Sequence, residues 1–248
     1  MADRDFELSD VFEDLVDWEK RLAGEEPFYR KVFKEVGAKS VLDAACGTGR
    51  HASLFHSWGL KVEGADISPR MIEKARAAFG EPEGLSWTVR GFDEPADRED
   101  PFDVVLCVGN SLSMAPDTKT VGDAVSAMAG AVRKGGVVIV HLQNRWRFDE
   151  GPCLWQKCRR CSTPDGEAFV IKGVHRCGRR SYVELLLIPV DDPEGMKSTR
   201  LDLTPIEAVD LKKMFRDCRA GSIELYGSYK ETPYERGKSV DLIIKATV

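Results

Sequence analysis

The chain has 248 residues, with 36 basic against 41 acidic side chains and a net charge of -5. That length suits one large domain with a lid, while the acidic balance and the lack of a Lys/Arg block argue against a nucleic-acid partner. The amino end, MADRDFELSDVFED, lacks an apolar signal region, and no run approaches the roughly eighteen apolar residues of a membrane span, so the expected location is cytoplasmic.

Up to about Gly37 the pattern is helical: Phe12, Leu15 and Val16, then Phe28, Val32, Phe33 and Val36, recur at helix spacing. This segment, residues 1–37, is expected to pack as a cap over the start of the main sheet. A strand over Ser40 to Asp43 follows, then a helix with Leu54, Phe55 and Trp58 on one face, ended by Gly59. The second strand runs from about Lys61 to Asp66. Ser68 caps the next helix, Pro69 fits its first turn, and Met71, Ile72, Ala75 and Phe79 form its apolar stripe before Gly80. LSWTV, Leu85 to Val89, and FDVVLCVG, from Phe102, read as buried parallel strands. A helix with Val121, Val125 and Met128 then leads through Gly135 and Gly136 into a fifth strand, VVIVHL.

Beyond residue 150 the pattern changes to short alternating segments, with turns at Pro164-Asp165-Gly166 and Pro193-Glu194-Gly195. Residues 151–204 are expected to form an antiparallel lid. Thr204-Pro205-Ile206-Glu207 has the spacing of a capping box for a helix bearing Ala208, Leu211, Phe215 and Cys218. Two final strands, near 223–229 and 240–248, lack a crossover helix between them and should pair antiparallel. Residues 38–150 would thus hold the cofactor and 205–248 complete the core.

Seven cysteines leave at least one thiol unpaired, as in a reducing compartment. Cys153, Cys158, Cys161, His175 and Cys177 include one C-x-x-C, but the second half of a zinc site is only His-x-Cys. Alternating strand residues without a metal are the expected reading. His51 and His56 do not share a helix face, and His141, inside an apolar strand, reads as a hydrogen-bonded structural residue.

The chemistry concentrates in VLDAACGTGRHASLF and the acid of VEGADIS. Gly47 and Gly49 remove side chains where a strand turns into a helix and a ligand approaches backbone. Asp66, at the end of the next strand, offers acceptor oxygens suited to ribose hydroxyls. Its duller reading is a cap for the helix at Ser68. A dinucleotide fingerprint would put glycine where Arg50 stands, and a P-loop would need lysine after Gly49, so neither fits.

What remains is acid-x-G-x-G-x-G filled by Asp43, Ala45, Gly47 and Gly49, which resembles motif I of the class I S-adenosylmethionine-dependent methyltransferases. VFEDLVDWEKR, GADISPRMIEKAR, FDVVLCVGNSL and YGSYKETPYERGKSVDLII are similar to the glycine/sarcosine N-methyltransferase-like branch. The resemblance implies an α/β, Rossmann-like class I methyltransferase fold: a seven-stranded, mainly parallel sheet with one antiparallel strand, plus the antiparallel β lid. It implies S-adenosyl-L-methionine as cofactor and a small-molecule methyl acceptor, foremost an amine or amino acid. A small hydroxyl compound is the alternative, and a non-catalytic module binding the cofactor or its demethylated product is a further one.

Carried over by position, the resemblance sets Ala45 and Gly47 against the methionine moiety, Asp43 near its amino group and Asp66 at the ribose. Ile67 and Met71 would flank the adenine, and Phe92 or Asp93 would touch its far face or exocyclic amine. Arg21 would contact the cofactor carboxylate, with Trp18 also at the cofactor, the duller reading of both being a solvated helix face. Asn110, Asn144, Arg145 and Tyr234 form the expected catalytic set, with Tyr229 a second hydroxyl candidate. Glycine-methylating relatives are expected to hold the substrate carboxylate with an arginine after the fifth strand, where this chain has Gln143 unless Arg145 or Arg147 shifts into place. The absence of a D-P-P-Y or N-P-P-Y tetrad at GNSL speaks against adenine, cytosine or glutamine side chains as acceptors.

Overall fold

A computed structural model describes residues 8–96, 100–163 and 165–248. The chain divides into two compact units, one of Leu22–Arg147 with Ile206–Val248 and the other of residues up to Arg21 with Phe148–Pro205. Residues 8–37 are therefore divided between the two units at Arg21.

The larger unit is built on strands β1 (Ser40–Asp43), β2 (Lys61–Asp66), β3 (Leu85–Val89), β4 (Phe102–Cys107), β5 (Val132–Gln143), β10 (Ser222–Tyr226) and β11 (Asp241–Thr247), in the order β10-β11-β5-β4-β1-β2-β3. The pairs within β3-β2-β1-β4-β5 are parallel, and β11 runs antiparallel to both its neighbours. Both faces are covered, which is why β4 reads as a continuous apolar run. The two-residue period sends Leu42, Val105, Val138 and Ile244 to one layer, with helix α5 (Thr118–Ala131). Val41, Val104, Leu106, Ile139 and Ile243 go to the other, against Phe28, Val32 and Phe33 of α2 (Trp18–Val36) and Phe55 of α3 (Arg50–Ser57). Fully buried side chains such as Phe28 and Phe55 each contribute roughly 1.5–3 kcal/mol to folding.

Helix α4 (Pro69–Phe79) starts as its sequence dictates, with the Ser68 hydroxyl accepting from Met71 N–H at 3.4 Å. Helix α6 (Ala208–Asp217) does not follow its own signal. The helix does not start at Pro205 but after Glu207, whose carboxylate is taken by Arg236 at 2.8 and 3.0 Å. A charged partner distant in sequence outcompetes the local backbone amide.

In the smaller unit, β6 (Leu154–Thr163), β7 (Gly166–Cys177), β8 (Arg180–Pro189) and β9 (Lys197–Leu203) form a four-stranded antiparallel sheet. Pro164 of the expected first turn lies outside the described residues. Helix α1 (Leu8–Leu15) packs here: Val11 and Leu15 share a core with Val170, Val174, Val183 and Leu185. Helix spacing revealed an apolar face in α1 but assigned it to the wrong sheet. Cys158 and Cys161 alternate along β6, one exposed and one buried, and Cys177 ends β7 exposed.

Gly49 owes its identity to packing. Its φ is +83°, and a Cβ there would lie 2.5 Å from Trp87 Cη2 and 3.0 Å from Ala75 Cβ. Trp87 cannot yield easily, since its indole N–H donates to Gly80 O at 2.7 Å. Gly49→Ala should therefore destabilise the protein by about 2–4 kcal/mol, through overpacking plus left-handed strain. Urea unfolding would read this as a lowered midpoint, and an unchanged midpoint would contradict the assignment.

Candidate active site

The turn after β1 is sewn onto the strands beside it. Ala44 N–H donates to Leu106 O at 2.7 Å and Cys46 N–H to Ala65 O at 2.9 Å, which holds the chain across the carboxyl ends of β4 and β2. Asp43, 1% exposed, closes β1 beneath this turn. Burial first, and then the Asp43 charge, push the Cys46 and Cys107 thiols up, so both stay protonated and neither is a nucleophile.

At Gly47 the backbone turns left-handed, with φ +54°. Its N–H donates to Asp66 Oδ2 at 2.9 Å, while Ser68 N–H donates to Asp66 Oδ1 at 2.9 Å. The two readings of Asp66 are thus compatible: it ties the glycine turn to the start of α4 and keeps further lone pairs on each oxygen. Burial raises its pKa, with the Ser68 and Gly47 amides pulling the other way. Ile67, the next residue, is 71% exposed. An apolar side chain projecting beside a half-buried carboxylate suits one planar ring and one sugar. Met71, at 8% exposure, is core and does not offer the same surface. Phe92 is partly buried against the main core, and Asp93 lies beside Gly91, where a Cβ would be 2.7 Å from its Oδ1.

Past β4, Asn110 adopts φ +77°. Its N–H donates to His141 O at 3.1 Å and its Oδ1 accepts from Gln143 N–H at 3.1 Å, which leaves the side-chain NH2 without a partner among the described residues. His141 accepts from Gly109 N–H at Nδ1, 3.2 Å, and places Nε2 3.2 Å from Asp241 Oδ1. It joins the end of β4 to β5 and β11, a structural role.

Residues 41–136 match the family model described as a methyltransferase domain. Over 147 residues, 58% of this chain and 52% of the relative, the sequence is 31% identical to the glycine/sarcosine N-methyltransferase of Parasynechococcus marenigrum (strain WH8102). It is 30% identical to the glycine N-methyltransferase of Homo sapiens over 145 residues, 52% of this chain and 48% of that one. The chain thus spans about half the length of the curated relatives it matches. In fold it is similar to a sugar N-methyltransferase from Streptoalloteichus sp., with TM-score 0.76, 24% identity, and coverage of 100% of this chain and 95% of that one. The CcbJ methyltransferase from Streptomyces caelestis gives TM-score 0.76 at 17% identity over 99% of both chains.

Residues 41–136 are thus similar to a methyltransferase domain, and the chain has the fold of solved methyltransferases.

A further structure of similar fold, an amino pentose methyltransferase from Micromonospora echinaspora (TM-score 0.72, 19% identity, 98% of both chains), holds S-adenosylmethionine, and the small-residue turn, the Asp66 oxygens and exposed Ile67 have the size and chemistry to admit such a group. Around this methyltransferase core, other expected residues are committed elsewhere. Asn144, 2% exposed, gives its NH2 to Arg236 O at 2.9 Å and Ser239 O at 2.8 Å. Its Oδ1 accepts from Trp146 N–H and from the Tyr234 hydroxyl, both at 3.3 Å. All four positions of the Asn144 amide are thus met within the protein, and the Tyr234 hydroxyl is part of the same network. Arg145 is 4% exposed; burial pulls its guanidinium down to about 10, still charged at neutral pH. Trp18 and Arg21 belong to the smaller unit, where the Arg21 guanidinium lies 5.1 Å from the Trp18 ring centre.

A buried network beside the glycine turn has no local signature in the sequence. Glu25, 6% exposed on α2, holds His51 Nε2 of α3 at 2.7 Å and accepts from the Tyr29 hydroxyl at 3.3 Å. The Tyr29 hydroxyl also meets that of Tyr229 at 3.0 Å. The sole sequence signal was a histidine two residues after Gly49, and a pattern of apolar residues cannot name its partner.

Proposed function

We propose that this protein transfers a methyl group from S-adenosylmethionine to a small-molecule amine. The observation that carries the reading is Asp66, half-buried and tied to Gly47 and Ser68, at the carboxyl end of β2 beside the turn that closes β1. The matched relatives named for N-methylation favour nitrogen as the acceptor. A cytoplasmic location is part of the proposal, supported by seven free thiols.

The sulfonium cofactor supplies an already activated methyl group, so the protein's work is alignment. In this reading the carboxylate of Asp66 accepts the ribose hydroxyls, the bare turn at Ala45 and Gly47 admits the methionine chain, and Ile67 covers the adenine. Asp43 holds the amino group, and Phe92 or Asp93 borders the adenine on its other side. Asn110 offers the NH2 it does not spend on the protein, orienting the acceptor without a formal charge. No protein group needs to act as nucleophile.

The test is release of S-adenosylhomocysteine in the presence of amines, amino acids, phenols and carboxylic acids. Turnover with an amine supports the proposal, and turnover confined to phenols or acids removes the nitrogen assignment. Asn110→Gly, which suits the left-handed backbone, should leave cofactor affinity unchanged and lower kcat about 10-fold, the value of one hydrogen bond of 1–2 kcal/mol. Wild-type kcat would take Asn110 out of the mechanism.

A further inference from the structure

The smaller sheet has a buried apolar face, and one position on it is a lysine. Along β7, Ala168, Val170 and Val174 enter the core shared with Val183, Leu185 and Leu187 of β8. The two-residue period puts Lys172 on that same face, between Val170 and Val174 and opposite Leu185.

Its other neighbour is also a cation. Trp155 of β6 pairs with Gly173, but the register then shifts at Gln156 so that Lys157 pairs with Lys172. Like charges directly opposite one another weaken a sheet. Arg21 acts on both lysines and Arg159 on Lys157. Lys157 has relief: its Nζ donates to Leu15 O at 2.7 Å, and Asp17 partly offsets the repulsion. Lys172 has neither a hydrogen bond nor an ion pair among the described residues. Burial, then Lys157 and Arg21, push its amine down to about 8.

Folding alone favours an apolar residue at such a position, and a β-bulge that re-aims a side chain marks places where a sheet does something besides pack. Lys157 is exposed and Lys172 half-buried, so a small ligand can approach from solvent.

We propose that Lys172, Lys157 and Arg21 form a binding site for a small oxyanion, the carboxylate or phosphate group of a small molecule. Two charge-assisted hydrogen bonds from the lysines would hold it, and the ligand's charge would relieve their repulsion. The site stands on strand register within one unit, so it holds or fails independently of methyl transfer.

Calorimetric titration of the full chain at pH 8 with inorganic phosphate, and separately with acetate, tests it in two buffers of different ionisation enthalpy. Binding an anion raises the Lys172 pKa, so wild-type protein should take up protons as it binds. Lys172→Met keeps the aliphatic stem and should lose at least 10-fold in anion affinity together with the proton uptake. The same variant should melt no lower than wild type, because it removes an unpaired charge from an apolar face. Lys172→Arg should retain binding without proton uptake.

Tighter binding of phosphate or of acetate supports the site and assigns the ligand class. No binding of either anion, or equal affinity in wild type and Lys172→Met, overturns the proposal and leaves a lysine that only extends its amine to water.

Discussion

Asp66→Ala is expected to weaken S-adenosylmethionine binding by roughly 100-fold or more, since two hydroxyl hydrogen bonds to a carboxylate contribute about 1.5–3 kcal/mol each. The loss has a second source, because the carboxylate also accepts from Gly47 and Ser68, and both amides are released. Asp66→Asn, which keeps one acceptor oxygen, should fall between. Calorimetry reads both, and an unchanged affinity for the alanine variant removes the ribose assignment. A pH series adds an independent check. Burial raises the pKa of this carboxyl above its ordinary value, while ribose binding favours its charged form. Affinity should therefore fall as pH drops, through a midpoint higher than that of an exposed aspartate.

Glu25→Ala should have the largest effect on stability, about 3–5 kcal/mol, because it strips His51 and Tyr29 of their shared buried partner. Urea unfolding measures the loss. The physical content lies in the coupling: once His51 is replaced by phenylalanine, removing Glu25 should cost distinctly less. Additive costs across the four proteins of that cycle would mean that the 2.7 Å contact contributes nothing beyond packing.

Most of the main sheet was legible because its signals are local. Val41 and Leu42 before the glycine turn, Ser68 and Pro69 before an apolar stripe, and the continuous FDVVLC run each fix an element within a few residues. Asp66 was singled out for the same reason, by its spacing after Gly49, and its carboxylate is tied to the Gly47 amide. Where long-range partners decide, local signals do not reach. Glu207 looks like a capping residue until Arg236 claims it, Asn144 looks available until Ser239, Arg236, Trp146 and Tyr234 consume it, and the α1 stripe does not state which sheet it covers. Gly49 was placed correctly as a required glycine for an incomplete reason, since Trp87 lies far along the chain.

The smaller unit draws its hydrophobic interior from two stretches that lie far apart in the chain, with Val11 and Leu15 contributed by the first. Its four strands consequently lack a complete interior until their amino-terminal helix docks. A chain shortened to start at Trp18 would leave Val170, Val174 and Leu185 uncovered and prone to self-association, and damage from such trimming would be felt first in this sheet, with the larger sheet's two apolar layers intact.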